Sequence, residues 1–255
     1  MKGSSATLLA LTLAGPASAQ SVAVTLSATD NTSLELRYDI PATCNALDFT
    51  NPGIPPSSAA ELRRDWTALD GCGEVDGNQI RRKTASCSSL RFRVPAATRS
   101  LDRVYPWSYP IGQGFYAHTS AYAVSPASCG AVSWKFSAPG GAVVVDGRPS
   151  GDAATLPSTT ANAHYLPVAL LLQPLPQGAA AKIHLDPRLS AADTRFLGDS
   201  ILDATTYLAK ALPDIDFPVP YVIAAISPEA NGWRGDVAHR STMRLTFSAD
   251  APARM

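Results

Sequence analysis

A chain of 255 residues is long enough for one large domain or two of ordinary size. Its 21 basic and 21 acidic side chains cancel, so no strong electrostatic field is available to collect nucleic acid or an anionic membrane surface. The charge balance therefore excludes the strongly basic nucleic-acid-binding proteins and predicts no nucleic acid among the partners.

The N-terminus, residues 1–19, is typical of a secretory signal peptide. Lys2 precedes a short apolar run, Leu8 to Leu13, and small residues then continue up to Ala19. A membrane-spanning helix needs about 20 apolar residues, and neither this run nor the one at residues 166–172 is that long. We therefore expect export to the periplasm or the extracellular space, cleavage after Ala19, and no membrane span.

Residues 20–180 predict an all-β domain. Val22, Val24 and Leu26 alternate with polar or small residues, and a second alternating run, Leu34 to Ile40, follows the turn-like segment TDNTS. Two such runs joined by a turn predict a hairpin. The segments LRFRVP, VSWKFSAP and GGAVVVDGRPSG add further short strands, separated by turn residues. This arrangement is typical of an antiparallel β-sandwich.

After residue 180 the spacing of hydrophobic residues changes from that of strands to that of a helix. Ser190 can cap a helix because Asp193 follows three positions later, and the apolar positions from Leu197 to Leu212 fall near one helix face. The continuous apolar run Tyr221 to Ile226 predicts a strand that is buried on both faces.

A final strand is predicted near residues 243–247, where Met243, Leu245 and Phe247 alternate with polar residues, as in a strand with one buried face. The expected fold class is therefore α+β: an antiparallel β-sandwich, residues 20–180, followed by a small α/β segment, residues 181–255. We expect this second segment to be incomplete at residue 255.

Four cysteines, Cys44, Cys72, Cys87 and Cys129, are expected to form two disulfides, because an exported protein meets an oxidising compartment. No pair has the close spacing of a zinc-thiolate site. Four cysteines allow three pairings, which the sequence alone does not decide. We favour Cys72 with Cys87, since they flank the turn-like segment VDGN, and this leaves Cys44 for Cys129.

Another candidate is a set of polar aromatic residues in the segment YAHTSAY. Tyr116, His118 and Tyr122 would share one face of a strand there. Such a face could bind a sugar or a peptide, although an ordinary solvated sheet face gives the same pattern and is favoured. The sequence contains neither His-Glu-x-x-His nor Gly-x-Ser-x-Gly, so the corresponding zinc site and serine nucleophile are absent.

Taken in order, these features resemble a known family. The signal peptide, a β domain with YDIPATCNALDF, LRFRVP and YAHTSAYAV, then LDPRL with a long helix and the glycine-led strand RGDVAHRSTMRL, resemble the front of the glycyl aminopeptidases, secreted zinc metallopeptidases of peptidase family M sixty-one. The resemblance implies a β domain followed by the start of a thermolysin-like catalytic domain. In that family, the zinc helix with His-Glu-x-x-His follows shortly after the strand.

The resemblance also implies a substrate-cleft edge at residues 235–239. The family pattern there is Gly-Gly-x-Glu-His, and this chain has Gly235, Asp236, Val237, Ala238 and His239. Gly235 and His239 match, but Ala238 replaces the glutamate that holds a substrate's amino group. No catalytic or metal-binding residue can be assigned, and zinc is expected only if a further part of the protein supplies its ligands.

Three functional hypotheses follow. The first is a secreted, catalytically incomplete relative of these peptidases that binds peptides or proteins and can self-associate through its uncovered C-terminal segment. The second is an active zinc metallopeptidase whose C-terminal part is not in this sequence. The third is a carbohydrate-binding β-sandwich of the cell envelope that uses the Tyr116, His118 and Tyr122 face. An enzymatic activity of this chain itself is not favoured.

Overall fold

The computed structural model describes residues 21–50, 53–97, 99, 101, 107–125, 129–130, 133–157, 168–171, 182–215, 221–226, 232–238 and 242–248. Within these ranges the protein is rich in β-structure and has two α-helices. The helices are α1 (Pro56–Arg63) and α2 (Ala191–Ala211), and a short 3-10 helix covers Thr119–Ala121.

The strands, in chain order, are β1 (Ser21–Ala28), β2 (Ser33–Asp39), β3 (Ala46–Asp48), β4 (Thr67–Ala68), β5 (Gly73–Asp76), β6 (Gln79–Arg82), β7 (Ser89–Pro95), β8 (Ser108–Ile111), β9 (Gly114–His118), β10 (Ser133–Ser137), β11 (Ala142–Val145), β12 (Arg148–Pro149), β13 (Ala153–Pro157), β14 (Val168–Leu171), β15 (Ile183–Leu185), β16 (Tyr221–Ile226), β17 (Trp233–Ala238) and β18 (Thr242–Phe247).

Two sheets share the main core. The first has the order β13-β10-β1-β2-β7-β4 and the second the order β12-β11-β14-β9-β8. Apolar residues of both sheets form one buried cluster, which includes Val24, Leu36 and Phe92 from the first sheet and Phe115 and Val143 from the second. The predicted β1–β2 hairpin is present, and its inward residues are the alternating apolar ones.

The first sheet is not purely antiparallel. β1 pairs with β10 in parallel, with Val22 opposite Trp134 and Val24 opposite Phe136. The expectation of an antiparallel sandwich is therefore wrong for this pair. The alternation of residues shows which face of a strand is buried, but it carries no information about strand direction, and these two strands are distant in sequence.

A third sheet and a helix lie between β2 and β7 in the sequence. β3, β6 and β5 form a three-stranded antiparallel sheet. The turn between β5 and β6 has Gly77 at a positive φ of 59°. Helix α1 was not predicted from the sequence. It begins with Pro56 in its first turn, where an N–H group has no partner within the helix, so the proline costs no hydrogen bond. The Pro-Pro pair before SSAAELRR is the signal that could have indicated this helix.

The last sheet has the order β15-β16-β18-β17. β16 is parallel to both of its neighbours, and its residues Tyr221 to Ala225 are buried, as predicted for a strand covered on both faces. The final strand predicted near residues 243–247 is β18, and it pairs with the preceding strand, β17, in an antiparallel arrangement.

β18 also differs from its prediction. Its polar residues Arg244 and Thr246 are buried, whereas Met243 and Leu245 are only partly buried. The reason is that β18 lies inside the sheet and that the sheet's Arg244 face lies against the preceding part of the protein, where the guanidinium is 5.7 Å from the centre of the Tyr116 ring. The expected exposed polar face is therefore covered.

This contact joins the last sheet to the β-rich part of the protein. Tyr221, Ile223 and Ala225 of β16 form one buried cluster with residues of the second sheet, among them Tyr109 and Tyr116. The opposite face of the last sheet carries α2, where Leu197 packs against Ala224 and Phe247. β16 is thus enclosed between a sheet and a helix.

α2 confirms the predicted helix. The Ser190 hydroxyl accepts a hydrogen bond from the Asp193 N–H, which is the expected N-cap. Leu197 is buried on the sheet, but Leu208 and Leu212, which lie near the same stripe, are exposed because the described residues place nothing beneath them. No helix in the described ranges is long and apolar enough to cross a membrane.

Both disulfides have the favoured pairing. Cys44 bonds to Cys129, and Cys72 bonds to Cys87 across the β5–β6 hairpin. The first bond joins positions that are 85 residues apart, and the second closes a loop of 15 residues. The long-range bond links the segment before β3 to the segment before β10, and both of its cysteines are buried.

Candidate functional site

β17 is the outer strand of the last sheet, and in the described part of the chain it pairs only with β18. The Ser248 N–H donates a hydrogen bond of 2.7 Å to the Gly232 carbonyl, so these two residues are a hydrogen-bonded pair of the antiparallel ladder. Hydrogen-bonded and non-bonded pairs alternate along such a ladder. The backbone groups of Trp233 and Val237 therefore point away from β18, toward the outside of the sheet.

The side chains of these two residues are exposed apolar groups. Trp233 is 52% exposed and Val237 is 61% exposed. Between them, Gly235 lies against the Leu245 side chain, where a Cβ would come within 2.9 Å of a Leu245 methyl carbon. A larger residue at this position would therefore require the Leu245 side chain to shift.

The predicted cleft edge, residues 235–239, lies only in part on β17. Gly235 to Ala238 belong to this outer strand, whereas His239 lies outside the described residues. The structure thus places four of the five positions along one sheet edge. The segment RGDVAHRSTMRL, expected to be one glycine-led strand, is the β17–β18 hairpin instead.

The predicted binding face in the segment YAHTSAY is not exposed to solvent. The side chains of Tyr116, His118 and Tyr122 are buried, and Tyr122 follows the 3-10 helix rather than continuing β9. Tyr116 packs on Tyr109, with ring centres 4.8 Å apart, and its hydroxyl is 3.5 Å from His118 Nδ1. Tyr116 lies in one buried cluster with Tyr221 of the last sheet, whereas Tyr122 stacks on Trp66 in the main core. Because all three side chains are buried, they are not available as a solvated or sugar-binding face.

A buried cation, Arg63, was not predicted from the sequence. The Arg63 side chain is 1% exposed, and its guanidinium carbon lies 3.7 Å from the centre of the Phe49 ring and 4.8 Å from that of Trp107. Its terminal nitrogens donate to the Asn78 side chain at 2.8 Å and to the Ala121 carbonyl at 3.2 Å. Burial lowers the pKa of Arg63 to about 10, which leaves it charged at neutral pH.

A cavity of about 500 Å³ lies above this cation, between α1 and the turn of the β5–β6 hairpin. Its lining combines acidic Glu61 and Asp76 with basic Arg64, so it has no single charge that would select an anion or a cation. The guanidinium of Arg63 itself is already bound to Asn78 and Ala121. Its role is therefore the stability of the fold.

A second missed group is the ion pair between Asp186 and Arg188. Asp186 follows β15, is fully buried, and accepts hydrogen bonds from Arg188 Nε at 3.0 Å and from the Ile226 N–H at 3.2 Å. Arg188 also donates to the Ile226 carbonyl at 2.7 Å and to the Pro110 carbonyl at 3.4 Å. The ion pair thus joins the carboxyl ends of the parallel strands β15 and β16 to β8.

The pKa of Asp186 follows from these bonds. Burial by itself raises the pKa, but the hydrogen bonds from the Arg188 side chain and N–H and from the Ile226 N–H outweigh it, so the pKa lies below its ordinary value of 3.8. A carboxyl with a lowered folded-state pKa contributes stability above its unfolded-state pKa. That contribution is lost as the pH falls through the folded-state value.

We expect Asp186→Asn to lower the free energy of unfolding at pH 7 by about 2 kcal/mol, because it weakens several hydrogen bonds to a buried charge. The difference between wild type and variant should begin to shrink below about pH 4, where the carboxyl of the unfolded chain becomes protonated, and should be lost as the pH falls through the lower folded-state pKa. Urea unfolding from pH 7 to pH 2 measures it. Asp199→Asn, an exposed change on α2, is the control, and a pH-independent difference for Asp186→Asn would contradict this role.

The described residues contain no group of three or more His, Cys, Asp or Glu side chains that could hold a metal ion. The resembling family binds zinc through the motif His-Glu-x-x-His, which this sequence lacks. The residues present in the described ranges therefore do not fit a zinc site of that kind, and no hydrolytic step can be derived from them.

No protein-family model matches the sequence, and comparison with curated proteins gave no match. Among solved structures, an aminopeptidase N family protein from Idiomarina loihiensis is similar in fold, with 14% sequence identity and a TM-score of 0.48. The similarity covers 89% of this chain and 42% of that protein. This chain thus spans less than half the length of its structural neighbour, and no activity or substrate of this chain follows from the likeness.

Proposed function

We propose that this protein is an exported, catalytically incomplete relative of zinc aminopeptidases that binds extended peptide segments along the outer edge of β17. The observation that carries the proposal is the ladder geometry of β17, which directs the backbone groups of Trp233 and Val237 outward. An extended peptide can add to such an edge as a further strand, with main-chain hydrogen bonds supplying affinity.

The side chains at this edge suit an apolar peptide. Trp233 and Val237 lie on one face of β17 and are exposed, so alternate side chains of an added strand would meet them. The sequence resemblance to glycyl aminopeptidases supports the same edge, since residues 235–239 occupy its cleft-edge pattern. Ala238 in place of the glutamate makes binding independent of a free N-terminus, and export is supported by the signal-like N-terminus and the two disulfides.

The proposal predicts binding without cleavage. We expect a fluorescein-labelled heptapeptide of alternating valine and threonine to bind the protein, and the variant Val237→Pro to bind it at least tenfold more weakly. Proline removes one outward N–H of β17 but no β17–β18 hydrogen bond. Fluorescence anisotropy measures binding, and mass spectrometry after incubation with equimolar zinc shows whether the peptide stays intact.

Two controls distinguish strand addition from nonspecific binding of the peptide. Val237→Thr keeps the N–H and a β-branched side chain, so it should bind like the wild type. A peptide that is N-methylated on the residues facing β17 lacks the required donors and should not bind. Equal binding of the methylated peptide, or chelator-sensitive cleavage of the parent peptide, would overturn the proposal.

The exposed end of α2 favours a second hypothesis. Leu208 and Leu212 lie near the same helix stripe as buried Leu197, yet they are exposed to solvent. Further polypeptide could cover them, and in the resembling family that polypeptide carries the zinc helix, which would give an active metallopeptidase. Sequencing the gene beyond the codon for Met255 distinguishes the hypotheses, because a downstream His-Glu-x-x-His supports the active enzyme.

A further inference from the structure

A buried histidine, His184, lies where the last sheet packs on the second sheet. It is opposite Ile223 in the parallel β15–β16 register, and residues paired in this way share one face of a sheet. Ile223 belongs to the buried cluster that also contains Tyr109 and Tyr116 of the second sheet. We call this contact between the two sheets the joint. His184 is only 8% exposed, so it is a titratable side chain inside the joint.

Two arginines and an aspartate also lie at the joint. Arg244 of β18 lies on the same face of the last sheet, and its guanidinium lies over the Tyr116 ring. Arg188 donates to the Pro110 carbonyl of β8 and is paired with buried Asp186. A proton on the histidine would add a further positive charge beside an aspartate that is already paired with an arginine. Burying such a charge is costly unless it gains an acidic partner of its own.

Other titratable groups at this face are tyrosines and a second histidine. Tyr109, Tyr116 and Tyr221 lie in the buried cluster of the joint. His118 is 8% exposed, and its Nδ1 is 3.5 Å from the Tyr116 hydroxyl. Burial raises the pKa of Tyr221, so its hydroxyl stays neutral, and the hydroxyl oxygen has no hydrogen-bond partner among the described residues. Such a group weakens the closed joint, and opening would expose it to water.

Burial lowers the pKa of His184 below its ordinary value of 6.5, although the charge of Asp186 acts in the opposite direction. The closed joint therefore favours the neutral imidazole, and it has its full stability above about pH 6.5. That stability decreases as the pH falls below this value towards the lower pKa of the closed state. A single histidine changes the opening equilibrium by at most a factor of about ten per pH unit. Asp186 keeps its charge in this range, because its pKa lies below 3.8.

We propose that the joint is an acid-sensitive hinge, in which protonation of His184 separates the last sheet, together with α2, from the second sheet. α2 moves with the last sheet because Leu197 packs on Ala224 and Phe247. The main core stays folded, since its buried cluster is formed by residues between Val22 and Leu156. The hinge is a different contact from the outer edge of β17, so the inference does not depend on peptide binding there.

Hydroxyl-radical footprinting read by mass spectrometry tests the hinge, because radicals modify a tyrosine only where solvent reaches its ring. We expect modification of the joint tyrosines, Tyr109, Tyr116 and Tyr221, to rise at least fivefold between pH 7.5 and pH 5. Tyr38 and Tyr122 are buried in the main core and should stay protected at both pH values. A reporter peptide added to each sample corrects for the radical dose.

Variants at both histidines identify the group that takes the proton. His184→Gln and His184→Phe cannot carry the charge, so the joint tyrosines of both variants should stay protected at pH 5. Glutamine keeps a polar side chain and phenylalanine keeps an aromatic ring, so the two variants together control for changes in packing. His118→Gln is the matched control on β9, and it should open between pH 7.5 and pH 5 as the wild type does.

Joint tyrosines of the wild type that stay protected at pH 5 would overturn the inference. The same conclusion would follow if both His184 variants opened at pH 5 as the wild type does, or if only His118→Gln abolished the response. Modification of Tyr38 and Tyr122 that rises in parallel with the joint tyrosines would show unfolding of the whole protein and would also overturn the hinge. Protection in at least one His184 variant, with opening in the wild type and in His118→Gln, supports it.

Discussion

Replacing Cys44 and Cys129 with alanine is expected to lower the free energy of unfolding by about 4.5 kcal/mol, the larger of the two disulfide effects. The bond joins positions 85 residues apart, and its loss frees a long segment in the unfolded chain. Both cysteines are also buried, so their removal leaves space in the core. Denaturant unfolding of the oxidised protein measures the change.

The Cys72–Cys87 bond is the matched comparison. It closes a loop of 15 residues, so its removal is expected to lower the free energy of unfolding by about 3 kcal/mol. Cys87 lies in a loop and is only partly buried, as is Cys72. A larger loss for the short loop than for the long one would contradict the assignment of Cys44–Cys129 as the main crosslink of the β-rich part.

Arg63→Ala is expected to destabilise the protein by about 3 kcal/mol. The change removes a guanidinium that packs on Phe49 and Trp107 and leaves the buried Ala121 carbonyl without its donor. Removal of the buried charge offsets part of this destabilisation, because no described acidic group neutralises Arg63 and burying its guanidinium away from water is costly. Thermal and urea unfolding measure the net effect.

Arg63→Met separates packing from charge. Methionine fills much of the same space without a charge, so we expect it to lower the free energy of unfolding by only about 1 kcal/mol. If packing dominates, the alanine variant should be clearly the less stable of the two. Equal losses for alanine and methionine would show instead that the charge and the hydrogen bonds of the guanidinium, which both variants lack, are the main contribution.

Local patterns in the sequence predicted the parts of the fold that depend on neighbouring residues. The alternation from Val22 to Leu26, the Ser190 cap and the turn between Cys72 and Cys87 each record an interaction within a few residues. β16 was predicted as well, because burial on both faces leaves no polar position in its run.

Residues whose partners are distant in the sequence were not predictable in the same way. Arg63 contacts Ala121 across 58 positions, and Asp186 accepts a bond from Ile226 across 40. Arg244 was expected on an exposed face, since the sequence gives no sign that the sheet containing Tyr116 would cover it. The same limit applies to the parallel pairing of β1 with β10 and to the buried Tyr116, His118 and Tyr122.

The candidate site was located from a local sequence pattern together with the strand register of the structure. The sequence pattern pointed to residues 235–239 as an edge, but only the β17–β18 register shows which backbone groups point outward. It also places Gly235 against Leu245, whose side chain would have to shift to admit a Cβ at this position. The function proposed for this edge depends on that orientation more than on any single side chain.

Amide hydrogen exchange along β17 tests this account most directly. Residue-resolved exchange by NMR is compared without and with the valine-threonine peptide, at the same protein concentration. The outward amides of Trp233 and Val237 are expected to exchange at least tenfold more slowly when the peptide is bound, while the exchange of the inward amides of Arg234 and Asp236 should change little. Unchanged exchange at Trp233 and Val237 under saturating peptide would contradict binding at this edge.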